Sequence, residues 1–384
     1  MKKNLYIKVI TFLIGSLAII YSVFFTHTFF NLENSFGWTF KSSENLNFHE
    51  KYSKKIHHIR EESVLDWLWK KPKVEDLLFT TINEINDKKI IVLFQGDSYM
   101  EQLTFPGPDK NHISAKLVQK FGNEKKIGFI NAGTGSYSPS VMNAQLDVLE
   151  ADFKILPNIV VAYIDQSDLG DENCRYKNNK VYENGILKSI EPENYLMWRE
   201  TFNYSEVYEL SKIKLNNISK ISKTFQLVNF KIKYGVAKSS IRFYRKYISQ
   251  SSIDKAKLIK CYWSETERYL IKPKDAEIKY FKDQVKDYLL KMEKKKHIEK
   301  VFLVTFPHKK HFNKTYKYNV SDIIDDVMED KKNVTHINLS RILLNDVNFN
   351  YKNIWLEDNV HLNPENHGNL FIKIILEELS KYLM

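Results

Sequence analysis

From Val9 to about Phe30 the chain is apolar without a single charged residue, and Lys2, Lys3 and Lys8 stand ahead of that run. About 20 apolar residues suffice to cross a bilayer as a helix. The run is too long for the core of a cleaved leader, and Phe24-Phe25-Thr26-His27-Thr28 offers no small-residue cleavage site. The pattern predicts a cytoplasmic tail over residues 1–8 and an uncleaved transmembrane signal anchor over 9–30. Lysines before the span and a charge-rich chain after it favour an exported body. Residues 31–85 read as a membrane-proximal segment, aromatic and charged, with Lys71-Pro72 as a helix stop.

Beyond residue 86 the pattern changes. Ile90–Phe94, Ile127–Ile130, Ile159–Ile164 and Val301–Phe306 are short apolar runs bounded by polar residues. Such runs suit strands buried on both faces of a parallel sheet. Ile113–Phe121 and Ser140–Phe153 have helical spacing between them. The alternation predicts an α/β domain over 86–384 with a mostly parallel sheet covered on both faces. Between about 171 and 300 the pattern weakens into Lys-rich, aromatic, helix-leaning sequence. That stretch is read as a long insertion, because strand-like runs resume after it. An amphipathic helix over Pro364–Leu383 closes the chain, and no internal repeat is visible.

Composition narrows the classes. Hydrophobic residues are 43% and charged residues 27% of 384, which excludes wholesale disorder. The 58 Lys+Arg against 47 Asp+Glu give a net charge of +11, dispersed as lysines without a nucleic-acid-binding module. No nucleic-acid partner is expected; the charge suits an anionic glycan or a lipid headgroup. Two cysteines exclude a disulfide scaffold and a cysteine zinc cluster. In an oxidising compartment Cys174 and Cys261 have the option of pairing, and two free buried thiols fit the sequence as well. His308 with His311, and His57 with His58, lack companion carboxylates at a metal-binding spacing and read as solvated loop residues. Neither a metal nor another cofactor is expected.

Candidate chemistry gathers where the predicted strands end. The first run ends at Gln95-Gly96-Asp97-Ser98-Tyr99, placing a serine at the carboxyl edge of the sheet, where α/β sites form. Asp97-Ser98 also suits a plain helix cap. The second run delivers Asn131-Ala132-Gly133-Thr134-Gly135-Ser136, small residues that let backbone amides approach a ligand, or simply turn. The third delivers Asp165-Gln166-Ser167-Asp168. Near the end of the chain, Asp358-Asn359-Val360-His361 places a carboxylate three residues before an imidazole, a spacing that fixes its tautomer. Asp109-Lys110-Asn111-His112 repeats the spacing in what reads as a surface loop, and is discounted.

In this order the four segments resemble the GDSL/SGNH hydrolase superfamily. The resemblance covers about 90–170 and 300–384. It implies a three-layer α/β/α sandwich, similar to flavodoxin-like sheets, with Ser98 as nucleophile and Asp358 and His361 as its triad partners. It also implies an oxyanion hole from the amides of Ser98 and Ser136 with Gln166 or Ser167. Two positions depart from the family pattern: Ser136 stands where a glycine is usual, and Ser167 where an asparagine precedes the aspartate.

Membrane-tethered, exported members are similar to proteins that add or remove O-acetyl groups on cell-surface polysaccharides. The expectation is therefore a serine esterase or O-acyltransferase acting on acyl, chiefly acetyl, esters of envelope polysaccharide. It would be a single-pass inner-membrane protein with its catalytic domain on the periplasmic or extracellular side, working beside envelope polysaccharide-modification proteins. The alternatives are a lipid esterase or lysophospholipase and a catalytically weakened scaffold in an envelope assembly complex. The aromatic insertion reads equally as a carbohydrate platform and as a helical cap.

Overall fold

Apolar runs alternating with helices build one sheet in the order β2-β1-β3-β6-β7, from strands β1 (Ile90–Gln95), β2 (Ile127–Asn131), β3 (Ile159–Tyr163), β6 (Lys300–Thr305) and β7 (Val334–Asn338). Every pairing is parallel, with Ile90 opposite Ile127, Val92 opposite Ile159, Ile159 opposite Lys300 and Val301 opposite Val334. The computed structural model describes residues 2–31, 85, 88–102, 120–121, 126–178, 180–190, 220–229, 232, 263–328, 331–346, 354–355, 361 and 364–383.

The sheet is covered on both faces, as its near-continuous apolar strands require. On one face Val92, Phe94, Phe129, Val161, Phe302 and Val304 join Leu339 and Leu343 of helix α9 (Leu339–Asn345) and Ile375, Leu376 and Leu379 of helix α10 (Pro364–Leu383). On the other face lie helices α3 (Pro139–Phe153) and α6 (Asp275–Lys294). Gln95, at the end of β1, donates to Gln145 Oε1 of α3 at 2.8 Å and accepts from the Tyr288 hydroxyl of α6 at 2.7 Å. A buried polar group is tolerated there because each end of its amide has a partner. Helix α6 falls within the stretch read as an insertion, yet it forms part of this layer. The hairpin of β4 (Lys180–Glu183) and β5 (Ile186–Ile190) is a separate antiparallel pair.

The chain divides into two compact units, Met1–Glu50 with Leu196–Leu258 and Lys51–Tyr195 with Ile259–Met384. The sheet belongs wholly to the second. In the first, helix α1 (Lys2–Phe30) includes a stretch, Tyr6–Phe30, long and apolar enough to cross a membrane. Its Phe12, Leu13, Leu17 and Ile19 are exposed, unlike the side chains of a core helix. A helix over residues 220–229 lays Phe225 against Phe25, ring centroids 4.6 Å apart, and Tyr21 at 6.1 Å. The charge is divided unevenly. The first unit has 17 Lys+Arg against 7 Asp+Glu and the second 41 against 40, so +10 and +1 make up the total of +11.

Candidate active site

In a sheet ordered this way, the chain leaves β1 toward one edge and β3 toward the other, and a crevice opens at their carboxyl ends. Ser98 stands there. The chain turns at Gly96, whose φ of 149° few other residues adopt. A Cβ on Gly96 would lie 2.9 Å from Met100 Cγ and 2.9 Å from Tyr163 Cβ. Asp97 is buried, and its Oδ1 accepts the Tyr99 N–H at 2.9 Å, which fixes the first turn of helix α2 (Ser98–Gln102). Asn131, at the end of β2, ties that turn down by donating to the Met100 carbonyl at 2.6 Å, while its Oδ1 accepts the Gly133 N–H.

His361 Nε2 lies 2.8 Å from Ser98 Oγ, across 263 residues of sequence. Both residues are half-buried, so the pair is sheltered but reachable. That is the separation a base needs to take a hydroxyl proton. Asp358 lies outside the described residues, as do His57, His58 and the discounted Asp109–His112 segment. Tyr99 supports the pair from behind, with its ring 6.0 Å from that of His361 and 4.7 Å from that of Tyr163.

Ser136 is half-buried at the third position of a turn closed by the Tyr137 N–H on the Thr134 carbonyl at 3.0 Å. Its φ is 67°, the left-handed region where turns of this type favour glycine. Ser136 thus has a backbone conformation that glycine adopts freely.

In the segment after β3, where Gln166 or Ser167 is expected to give a third oxyanion donor, both side chains have partners within the protein. Gln166 Nε2 donates to the Phe306 carbonyl and to Asn319 Oδ1, both at 3.0 Å, and Gln166 Oε1 accepts the Val320 N–H at 2.9 Å. Ser167 donates its hydroxyl at 2.6 Å and its N–H at 2.8 Å to Asp165 Oδ2. Both side chains are committed within the protein. For Ser167 the reason is Asp165, a fully buried carboxylate that needs several donors to stay ionised.

Its main partner is His308, whose Nε2 lies 2.9 Å from Asp165 Oδ1. Burial pushes the Asp165 carboxyl up, but His308 and the Ser167 donors outweigh it and hold the group below the ordinary carboxylate range. Nearby Asp168 is pushed well above that range by burial and by the carboxylates of Asp97, Asp165 and Asp171, which favours its protonated form. The reading of His308 and His311 as solvated loop residues is corrected: they are 1% and 8% exposed. His311 Nδ1 accepts the His308 N–H at 3.1 Å, and its Nε2 faces the Tyr318 carbonyl at 3.1 Å. A signal for this pair was present in the sequence. Asp165 and His308 follow adjacent parallel strands, and a buried aspartate at a sheet edge demands a cation or donors from its neighbour. Among the described residues no group of three His, Cys, Asp or Glu is placed to hold a metal ion.

After Asp168–Asp171 (helix α4) the chain widens into one π-helical turn, Glu172–Tyr176, which sequence reasoning passed over. Arg175 Nη1 donates to Ser136 Oγ at 2.7 Å, and the Tyr176 hydroxyl donates to the Ser136 carbonyl at 2.5 Å. Cys174, in the same turn, is disulfide-bonded; the other cysteine, Cys261, lies outside the described residues.

No family model matches the chain, and no curated protein matches it in sequence. Among solved structures its fold is similar to that of an acetylxylan esterase from Geobacillus stearothermophilus, at 13% identity and a TM-score of 0.37 over 76% of this chain and 94% of that one. It is also similar to a psychrotrophic esterase from Pseudoalteromonas, at 10% identity and 0.36 over 76% and 98%. A lipolytic protein of the G-D-S-L family from Desulfitobacterium hafniense gives 12% and 0.32 over 75% and 98%.

Proposed function

We propose that the protein is a serine hydrolase of the GDSL/SGNH type, acting on acyl, chiefly acetyl, esters of envelope polysaccharide by hydrolysis or by transfer. The observation that carries this reading is the 2.8 Å contact between His361 Nε2 and Ser98 Oγ at the carboxyl edge of β1. A free serine hydroxyl is a weak nucleophile until a base takes its proton. His361 Nε2 accepts that proton as Ser98 Oγ bonds to the ester carbon. The imidazolium then returns the proton to the departing sugar oxygen as the ester C–O bond breaks, leaving Ser98 acylated. Water or a sugar hydroxyl reverses the sequence and frees the serine. Asp358 is proposed as the residue that orients His361. The amides of Ser98 and Ser136 are proposed to receive the charge on the acyl oxygen.

The Gln166 and Ser167 side chains are bonded within the protein, which leaves the Gln166 N–H, or no group, as a third donor beside the two amides. Where no third donor is present, the loss typically costs 10²–10³-fold in rate. The same deficit supports the alternative of a catalytically weakened scaffold. The +10 charge of the anchor-bearing unit supports attachment at an anionic lipid surface, and the +1 of the site-bearing unit leaves substrate choice to shape and hydrogen bonding. We assign the body to the exported side of the inner membrane, tethered by α1.

Fluorophosphonate labelling tests the reading. The full-length protein should label, and S98A should not. Faster release of acetate from acetylated xylan than of long acyl chains from p-nitrophenyl esters supports the glycan substrate; the reverse order supports a lipid esterase. A folded wild-type protein that never labels leaves the scaffold.

A further inference from the structure

The π-helical turn Glu172–Tyr176 holds the Ser136 loop at both ends. Glu172 Oε1 accepts the Ser138 hydroxyl and the Ser140 N–H, each at 2.7 Å, and Lys180 neutralises the same carboxylate at 2.8 Å. Arg175 and Tyr176 take the other end, one on the Ser136 side chain and one on its carbonyl. Arg175 is fixed in turn by Asp171, whose Oδ1 lies 3.1 Å from its Nε, and Tyr176 is fully buried. π-turns of this kind recur at functional sites.

Ser136 needs such support. Its left-handed backbone is the conformation glycine adopts freely, and here Gly135 stands one residue too early to supply it. A non-glycine residue persists in that region when its surroundings over-determine it. The two bonds from the π-turn do this: one fixes the Ser136 side chain and the other the peptide that follows it, so that the residue's φ and ψ are held between them.

We propose that Arg175 and Tyr176 are positioning residues of the oxyanion hole. They hold Ser136 so that its N–H faces the acyl oxygen, doing by side-chain contact what a glycine does by freedom of its backbone. This rests on the serine-hydrolase reading and goes beyond it, since it gives both residues a role that needs no contact with the substrate. An amide that is misaligned only in the transition state lowers kcat and leaves KM nearly unchanged.

The test is a double-mutant cycle on the full-length protein with p-nitrophenyl acetate, with thermal melts to verify folding. R175Q should lower kcat by about tenfold or more with KM within about twofold. S136A, which keeps the left-handed demand and loses the hydroxyl, should show a similar loss. The two should not add, because both break one contact. On an S136G background R175Q should cost less than about threefold, since no hydroxyl remains to hold. Y176F should cost the same on both backgrounds, because the carbonyl it holds persists.

An equal cost of R175Q on both backgrounds, or S136A running at the wild-type rate, overturns the proposal. A rise in KM as the main effect does so too, and places Arg175 on the substrate. If R175Q does not fold, S136A alone decides. A wild type that neither labels with fluorophosphonate nor hydrolyses ester overturns the hydrolase reading itself. A labelled wild type with an additive cycle overturns only the clamp.

Discussion

His361 and His308 lie at similar distances from one ring, their centroids 6.0 Å and 6.3 Å from that of Tyr99, yet their surroundings have opposite consequences. His361 is half-buried and faces a neutral hydroxyl that a substrate can reach. His308 is sealed, faces a carboxylate, and stands at the head of a chain running through His311 to a backbone carbonyl. The first arrangement keeps a proton transferable. The second uses the same residue type to keep a buried charge compensated. A histidine near a site is thus assigned its role by what faces its nitrogens.

The sharpest way to break this contrast is to remove each member in turn. S98A and H361A should each lower ester hydrolysis by about 10³-fold or more while leaving the melting temperature within a few degrees. If H361A retains activity, the contrast fails at its first term. H308A should do the opposite and destabilise the protein by about 3–5 kcal/mol, because it strands the Asp165 charge in the interior. Denaturant unfolding reads the loss, and the fraction still folded should label with fluorophosphonate.

The pH dependence of stability sharpens the comparison. Burial, helped by the nearby charge of His308, lowers the His311 pKa from 6.5 to about 4. The unfolded chain therefore takes up this proton before the folded one does. The contribution of His311 to stability is full above about pH 6.5 and is lost, by about 3 kcal/mol, as pH drops toward 4. Asp165, held below the ordinary carboxylate range, extends the loss to lower pH. Asp168 and Asp171, both raised, act in the opposite sense over the same window, so the test is the difference between two variants: unfolding free energies measured between pH 7 and 4.5 should fall more in the wild type than in H311N. The smallest effect is expected at Ser167. S167A should cost about 1 kcal/mol of stability for the lost bond to Asp165, with kcat within about twofold. A hundredfold fall in kcat would instead return Ser167 to the oxyanion hole.

Four strands and the final helix were legible because each is a run whose apolar pattern needs no partner to be recognised. β7 was not: Val334-Thr335-His336-Ile337-Asn338 is an edge strand, and only Ile337 in it is buried. The hairpin of β4 and β5 is equally polar and equally silent. At the site, Gly96-Asp97-Ser98 and His361 stood out because their chemistry is carried by local motifs. Arg175 and Tyr176 carry no local mark; their role comes from a turn that brings them to Ser136 across about 40 residues. His308, after Pro307 and before two lysines, has the flanks of a surface loop, and only its pairing with Asp165 across adjacent strands shows otherwise.

The direct pairing of β3 with β6, Ile159 opposite Lys300, has a consequence for how the molecule comes into being. During synthesis β1, β2 and β3 are complete while their neighbour at the β3 edge is still more than a hundred residues away. Closing so long a loop is slow, so a half-sheet with one bare edge precedes the finished one, and such edges invite association with other chains. In that interval the turn bearing Ser98 already exists, but His361 lies beyond every strand in chain order. The nucleophile is thus made early and its base late. A nascent chain carries an inert serine until its last segment docks.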